Sequence, residues 1–390
     1  MLVKILFLVI TTVYCLLILS LAIAWKKIKY FFAEEENDYQ QFSIVIAFRD
    51  EESALDKCLH ALENLDYPKE SFEVLLVNDH SQDGSVEKVE TFIRSHPLLQ
   101  IKLLHNEQQG KKSAVKTAIA HASFPLIATT DADCEVPNQW LKIYNAYYHQ
   151  YGKKMMLAPV AFADEKKYFS QLQQLELGAL MISTGGAVQM GKPIMCNAAN
   201  MCYEKEVYDT LQSNMQSCSQ IASGDDVFLL HACSQYYGSQ AIGYVKTNEI
   251  IVRTAAQKTL RDFIAQRVRW VSKTGSYSDK FTKMVALVVG LESFLILISS
   301  ILAIFGGITW LWWCVLVMVK VIVDACVIME WLSFINKKSL WWKCYFMAAI
   351  AYPVYVVWVV LRIPFSKKIW KDRNYMYKGK KKNDNFADIK

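Results

Sequence analysis

Residues 72–84, FEVLLVNDHSQDG, run from an apolar stretch, Phe72 to Asn78, directly into turn chemistry that begins at Asp79. Upstream, Ser43 to Phe48 (SIVIAF) is another short apolar run, and Leu55, Cys58, Leu59, Leu62 and Leu65 then recur at helical spacing. Downstream, the pattern predicts a helix to about Arg94, a strand Ile101 to His105, a helix Ser113 to Ala122 and a strand Leu126 to Thr130. Strand and helix alternating in this way predict an α/β fold, a mostly parallel sheet covered by helices on both faces. Ligands of such sheets bind beyond the carboxyl ends of the strands. Two of those ends are acidic: Asp79 follows VLLVN, and Asp131-Ala132-Asp133 follows PLIATT. Carboxylates at i and i+2 past a buried strand make a hard oxygen site suited to Mg²⁺ or Mn²⁺, which in turn bridges phosphate oxygens. A lone D-x-D also occurs as a solvated turn; the second acidic strand end favours the site.

Outside this region the chain turns apolar. It has 390 residues and is 53% hydrophobic, above the ~45–50% of a soluble globular chain, which argues against disorder and against a purely water-soluble protein. Residues 2 to 25 are long enough to cross a ~30 Å hydrocarbon layer and are followed by Lys26, Lys27 and Lys29. The run is too long for a cleaved leader and lacks a small-residue cleavage site, so an uncleaved anchor over 1–30 is expected, its basic flank cytosolic. Residues 284 to 306, 308 to 331 and 343 to 365 are three further spanning candidates. Within the second, Lys320 and Asp324 share a helix face four residues apart, either as a structural pair or lining a route for an acceptor. The ten cysteines form no CxxC pair and no framework, and read as reduced thiols rather than a zinc site or disulfide scaffold.

Taken in order, SIVIAFRDEE, VLLVNDHSQDGS, GKKSAVKTAI, TTDADC, NAANMCYEKE, SGDDVFLL and QRVRW resemble a family 2 glycosyltransferase with the GT-A nucleotide-sugar fold, over roughly residues 42 to 275. The membrane-anchored branch, which includes ceramide glucosyltransferases and the hyaluronan, chitin-oligosaccharide, cellulose and poly-N-acetylglucosamine synthases, carries Q-x-x-R-W just before a membrane helix. Here Gln266 to Trp270 stand 14 residues before Met284. The expected organisation is an anchor (1–30), a GT-A domain (42–281) ending in an interfacial amphipathic helix (about 258–275), about three transmembrane helices (284–365) and a basic tail (366–390).

The resemblance implies roles. Ala47, Arg49, Glu51 and Asp79 would contact the nucleoside, and Lys111 would lie along the nucleotide. Lys116 stands where the family's G-K-x-x-A-L-N pattern has Asn, and Lys112 adds a charge; either Lys111 or Lys112 fits the nucleotide contact, and Lys112 fits a solvated helix start equally. Asp131 and Asp133 would hold the metal on the diphosphate, Asp133 more directly. In Ser223-Gly224-Asp225-Asp226, Asp226 would be the base that takes the acceptor proton, with Asp225 supporting it in place of the usual Glu. An acidic helix start is the alternative there. Asn200 would lie near sugar and acceptor, Gln266 and Trp270 on the acceptor, and Arg269 on the diphosphate. For QRVRW the alternative is a simple interfacial anchor, with Leu260, Phe263, Ile264, Arg267 and Trp270 spaced as an amphipathic helix.

The implied activity is metal-dependent, inverting transfer from a nucleotide sugar, first of all a UDP-sugar, to a hydroxyl of a lipid or glycan at the cytosolic face of a plasma or inner membrane. A processive polysaccharide synthase, a nucleotidyltransferase and a non-catalytic scaffold that keeps the fold are the rivals. Nucleic acid is not an expected partner: the net charge of +6 lies wholly in residues 366–390, while the first 365 are formally neutral. That tail suits anionic lipid headgroups. Four crossings would put it opposite the catalytic domain, against the positive-inside tendency; the alternative is a last segment, with Pro353 near its centre, that does not cross.

Overall fold

A computed structural model of the chain describes residues 2–34, 38–163, 167–215, 225–365, 369–370 and 373–374. Ser223 and Gly224 of the acidic motif, and most of the basic tail, lie outside them. The chain opens with α1 (Leu2–Lys27), then β1 (Phe42–Phe48), α2 (Leu55–Glu63), β2 (Phe72–Asn78), α3 (Ser85–Ser95), β3 (Ile101–His105), α4 (Lys111–His121) and β4 (Leu126–Thr129). These are the elements expected from the sequence, within a residue or two at their ends. There follow β5 (Cys134–Glu135), α5 (Trp140–Tyr151), β6 (Met155–Leu157), β7 (Val160–Phe162), α6 (Tyr168–Gln189), β8 (Met201–Glu204), α7 (Lys205–Met215), α8 (Asp225–Tyr236), β9 (Ile242–Tyr244), β10 (Val252–Thr254) and α9 (Leu260–Val271). Three long helices complete it: α10 (Lys280–Ile304), α11 (Trp310–Phe334) and α12 (Ser339–Arg362).

Among the described residues the main sheet runs β3-β2-β1-β4-β8-β6-β9. Its first half is parallel, with Phe42 to Phe48 opposite Phe72 to Asn78 and β1 also beside β4. β8 is antiparallel to both β4 and β6, so the sheet is mixed rather than uniformly parallel. A small sheet, β5-β10-β7, sits beside it. Every residue of β2 is buried, as a central strand covered on both faces requires.

α1, α10, α11 and α12 are long and apolar enough to cross a membrane. Pro353 lies inside α12 without ending it. The 22-residue α6, which the sequence reading did not single out, is the element joining the sheet to these helices. Its glycines permit close approach: a Cβ on Gly178 would meet Trp331 of α11, one on Gly185 would meet Trp25 of α1, and one on Gly186 would lie 2.1 Å from the Leu21 carbonyl oxygen. Lys246, just after β9, caps the end of α1, its Nζ donating to the carbonyls of Trp25 (2.8 Å) and Ile28 (3.2 Å).

Between the long helices lies a polar seam. Lys320 and Asp324 pair at 2.5 Å, Tyr14 donates to Asp324 at 2.7 Å, and the Lys320 ammonium stands over the Tyr352 ring. Thr11 donates to Glu292, which is 1% exposed. Charges in such helices pair inside the bundle, where leaving one without a partner is costly. The Lys320 and Asp324 pair is thus tied to α1 and α12.

Candidate active site

The carboxyl ends of β1, β2 and β4 converge on one cleft. Past β1, Arg49 is buried and its Nε donates to Asp50 at 3.1 Å, while Asp50 Oδ1 accepts from the Gln82 backbone N–H at 2.7 Å. The Glu51 N–H donates to Ser85 Oγ, so the loops after β1 and β2 are stitched together. Ala47 pairs with Val77 one residue before the strand ends.

Asp79 is 1% exposed and its Oδ1 accepts from Asn106 Nδ2 and from the Gly110 N–H, both at 2.9 Å. Ser113 in turn donates to Asn106 Oδ1. Gly110 has φ +114°, a conformation that favours glycine, and this turn launches α4. Asp79 therefore fixes the start of α4, and Asn106, unmarked in the sequence, is its partner. There Lys111 pairs with Asp131 and Lys112 lies 3.2 Å from Asp225.

Asp131, Asp133 and Cys134 bring ligand atoms within 4.8 Å of one another. Burial, with Asp133 and Asp131 beside it, pushes the Cys134 thiol well above its ordinary pKa. The two carboxylates offer hard oxygens that fit Mg²⁺ or Mn²⁺, ions for which the soft sulfur of Cys134 is a poor match. Asp133 is exposed at the end of β4, and partial loss of hydration there together with the adjacent Asp131 raises its carboxyl. Burial lowers the Lys111 ammonium, but Asp131, then Asp226 and Asp133, more than offset it and leave its pKa raised. Of these carboxylates, Asp131 is the one Lys111 pairs with directly.

Asp226 sits in the first turn of α8. Its Oδ1 accepts from the Val227 N–H at 2.9 Å and its Oδ2 from the Ala198 N–H at 3.3 Å. From the other side comes the end of α9. Burial depresses Lys273 to about 8, against the attraction of Asp226, with Arg269, Asp225 and Lys111 also acting on it. Lys273 was not marked by sequence reading; its place three residues beyond Trp270 was the available signal.

Within QRVRW the structure separates the roles. Arg267, 3% exposed, forms an ion pair with Glu176 of α6 and lies 4.4 Å from the Phe263 and Trp270 rings. Gln266 Oε1 accepts from Arg267, so that oxygen is engaged within the protein. Arg269 and Trp270 are half-buried at the same helix end. Asn200 differs from expectation. It is 1% exposed; its Oδ1 accepts from Trp140 Nε1 (2.8 Å) and Tyr144 OH (2.9 Å), and its Nδ2 donates to the carbonyls of Pro159 (2.7 Å) and Ile250 (2.8 Å). All its hydrogen-bonding capacity is spent inside the fold, so it braces the turn before β8 rather than presenting a free group to an acceptor.

Residues 43–212 match Glycosyl transferase family 2. Glycosyltransferase AglE of Haloferax volcanii is 38% identical over 100 residues, 26% of this chain and 33% of that protein. Beta-monoglucosyldiacylglycerol synthase of Synechocystis is 27% identical over 111 residues, 28% of this chain and 23% of that protein. The matched stretch thus spans a third or less of these relatives' lengths. Mannosyltransferase PcManGT of Pyrobaculum calidifontis, solved with GDP-Man and Mn²⁺, superposes with a TM-score of 0.57 at 15% identity, covering 90% of this chain and 98% of that one. The two share a fold.

Proposed function

We propose that this chain, which carries a family 2 glycosyl transferase domain of GT-A fold, is a membrane-bound inverting transferase that moves a sugar from a nucleotide donor to a hydroxyl of a lipid or glycan. The observation that carries this reading is the acidic pair Asp131 and Asp133 at the end of β4, with Lys111 paired to Asp131 and Lys112 to Asp225 beside Asp226.

Asp131 and Asp133 would hold a divalent ion on the diphosphate; bound there, the ion offsets the charge that develops on the leaving oxygen. Lys111 and Arg269 add fixed positive charge on the same side. Asp226 takes the proton of the acceptor hydroxyl. The acceptor oxygen then bonds to the anomeric carbon from the face opposite the diphosphate, the bond to the diphosphate oxygen breaks, and the configuration inverts. Ala47, Arg49 and Glu51 at the end of β1 border the nucleoside end. Asp79 supports this end by fixing α4, and Trp270 offers a ring to the acceptor.

The long helices and α9 favour an acceptor at the membrane, with the domain from 42 to 281 cytosolic, next to the lysines that follow α1. The basic tail would rest on anionic headgroups if it lies on that side. The test is nucleotide release by the detergent-purified full chain from a panel of UDP-sugars and GDP-mannose, with Mn²⁺, Mg²⁺ or EDTA. Metal-dependent release of nucleoside diphosphate supports the reading; pyrophosphate would indicate nucleotidyl transfer, and neither release nor nucleotide binding a scaffold. A single-sugar product and a ladder then separate one addition from processive synthesis.

A further inference from the structure

Two features set this site apart in the sequence: a second lysine after Gly110, and an aspartate at position 225. The fold brings them together. Lys112 Nζ lies 3.2 Å from Asp225 Oδ1, with side chains 29% and 21% exposed. Its neighbour Lys111 pairs with Asp131, so the first two residues of α4 reach a strand-end carboxylate on one side and the start of α8 on the other.

We propose that Lys112 is a positioning residue for the base: its ammonium neutralises Asp225 and ties the start of α8, which carries Asp226, to the start of α4. This rests on the reading of Asp226 as base.

Asp225 and Asp226 are consecutive carboxylates in a partly dried cleft. Burial raises the Asp225 carboxyl; Lys112 acts against this, and Asp226 adds to it. Two adjacent carboxylates repel each other, and the ion pair with Lys112 offsets that repulsion at the start of α8. Other titratable groups face the pair from every side. They are Lys111 of α4, Cys196 before β8, Tyr203 of β8, Tyr208 of α7, and Lys273 and Tyr277 beyond α9. Among the ion pairs of the described residues, Lys112 is the cation that pairs with Asp225. The pair also links α4 to α8, which are more than 100 residues apart in the chain.

The test is the pH dependence of nucleotide release from the donor that the wild type cleaves, for Lys112→Met, Lys112→Arg and the double variant Lys112→Met with Asp225→Asn. Removing the ammonium takes away a charge that lowers the Asp225 carboxyl, so in Lys112→Met the acid limb moves to higher pH. Turnover near neutrality falls roughly three- to tenfold, with donor KM within about twofold. Lys112→Arg keeps the wild-type limb, and the double variant, which removes both charges, returns toward it. A raised donor KM with an unmoved limb would make Lys112 a nucleotide contact and overturn the proposal. An unchanged profile would make it a solvated lysine, and parallel loss of melting temperature and activity in all three variants a purely structural one. A wild type that releases no nucleotide removes the reading of the base, and this inference with it.

Discussion

Arg267 and Glu176, 91 residues apart in the chain, form an ion pair with side chains 3% and 11% exposed, and the hydroxyl of Tyr355 from α12 donates to the same carboxylate at 2.7 Å. One carboxylate thus joins the helix that carries QRVRW, the apolar helix beneath the sheet and the last long helix.

Breaking that pair leaves a charge without its partner where little water reaches it. Glu176→Gln and Arg267→Met are each expected to cost about 3–5 kcal/mol. The double variant recovers part of the loss, because no lone charge then remains. Melting in detergent measures this, and single variants that melt with the wild type would contradict it. Tyr355→Phe removes one hydrogen bond to a charged group and is expected to cost about 1.5–3 kcal/mol.

Asp226→Asn keeps the shape of the first turn of α8 but cannot accept a proton. Donor binding, read by nucleotide protection against thermal unfolding, stays intact while turnover falls by roughly 10²–10⁴. Undiminished turnover would remove Asp226 from the chemistry.

Lys273 has a pKa lowered from 10.5 to about 8 by burial. It is charged below that value and neutral above it, so the positive charge it brings to Asp226 and Asp225 fades as pH rises through about 8. We expect kcat/KM for the donor to fall there, and Lys273→Arg to extend the plateau to higher pH. The same depression has a stability signature of opposite sense. Between about 8 and 10.5 the unfolded chain binds more protons at this site, so the Lys273 contribution to stability rises with pH across that window. A wild-type kcat/KM unchanged from pH 7 to 9.5 would contradict the charge role.

Asn200→Ala strips partners from Trp140 Nε1, Tyr144 OH and the carbonyls of Pro159 and Ile250. Each buried group left unsatisfied costs about 1–3 kcal/mol, so low yield and an early melt are expected. Whatever folded fraction survives keeps its acceptor KM. A stable variant with a raised KM would instead restore Asn200 to the acceptor site.

From β1 to β4 the sheet was legible because each strand there is a short, nearly continuous apolar run and each intervening helix shows its own periodicity. Beyond Thr130 the strands shorten to two to four residues, as in β5, β6, β7 and β8, too short for a period to show. The apolar helix α6 carries Gly178, Gly185 and Gly186 on its packed face, so it reads as neither strand nor span, and only its contacts with Trp331, Trp25 and Leu21 reveal its use. The acids at the strand ends could be located from the sequence, because turn chemistry after a buried strand is local. Asn106 could not, since nothing local distinguishes it from an ordinary polar residue, and Lys273 had only its place three residues beyond Trp270 to mark it.

By itself, then, the sequence determined the α/β alternation, the placement of Asp79, Asp131 and Asp133 at strand ends, and four helices long and apolar enough to cross a membrane. Those follow from periodicity and burial over a few consecutive residues. Only the tertiary structure decided which charges meet: Lys111 with Asp131, Lys112 with Asp225, Arg267 with Glu176, and Lys320 and Asp324 with Tyr14 and Tyr352. A partly dried interior makes a nearby opposite charge count for more than its distance along the chain, and which charge is near is settled by how the helices pack.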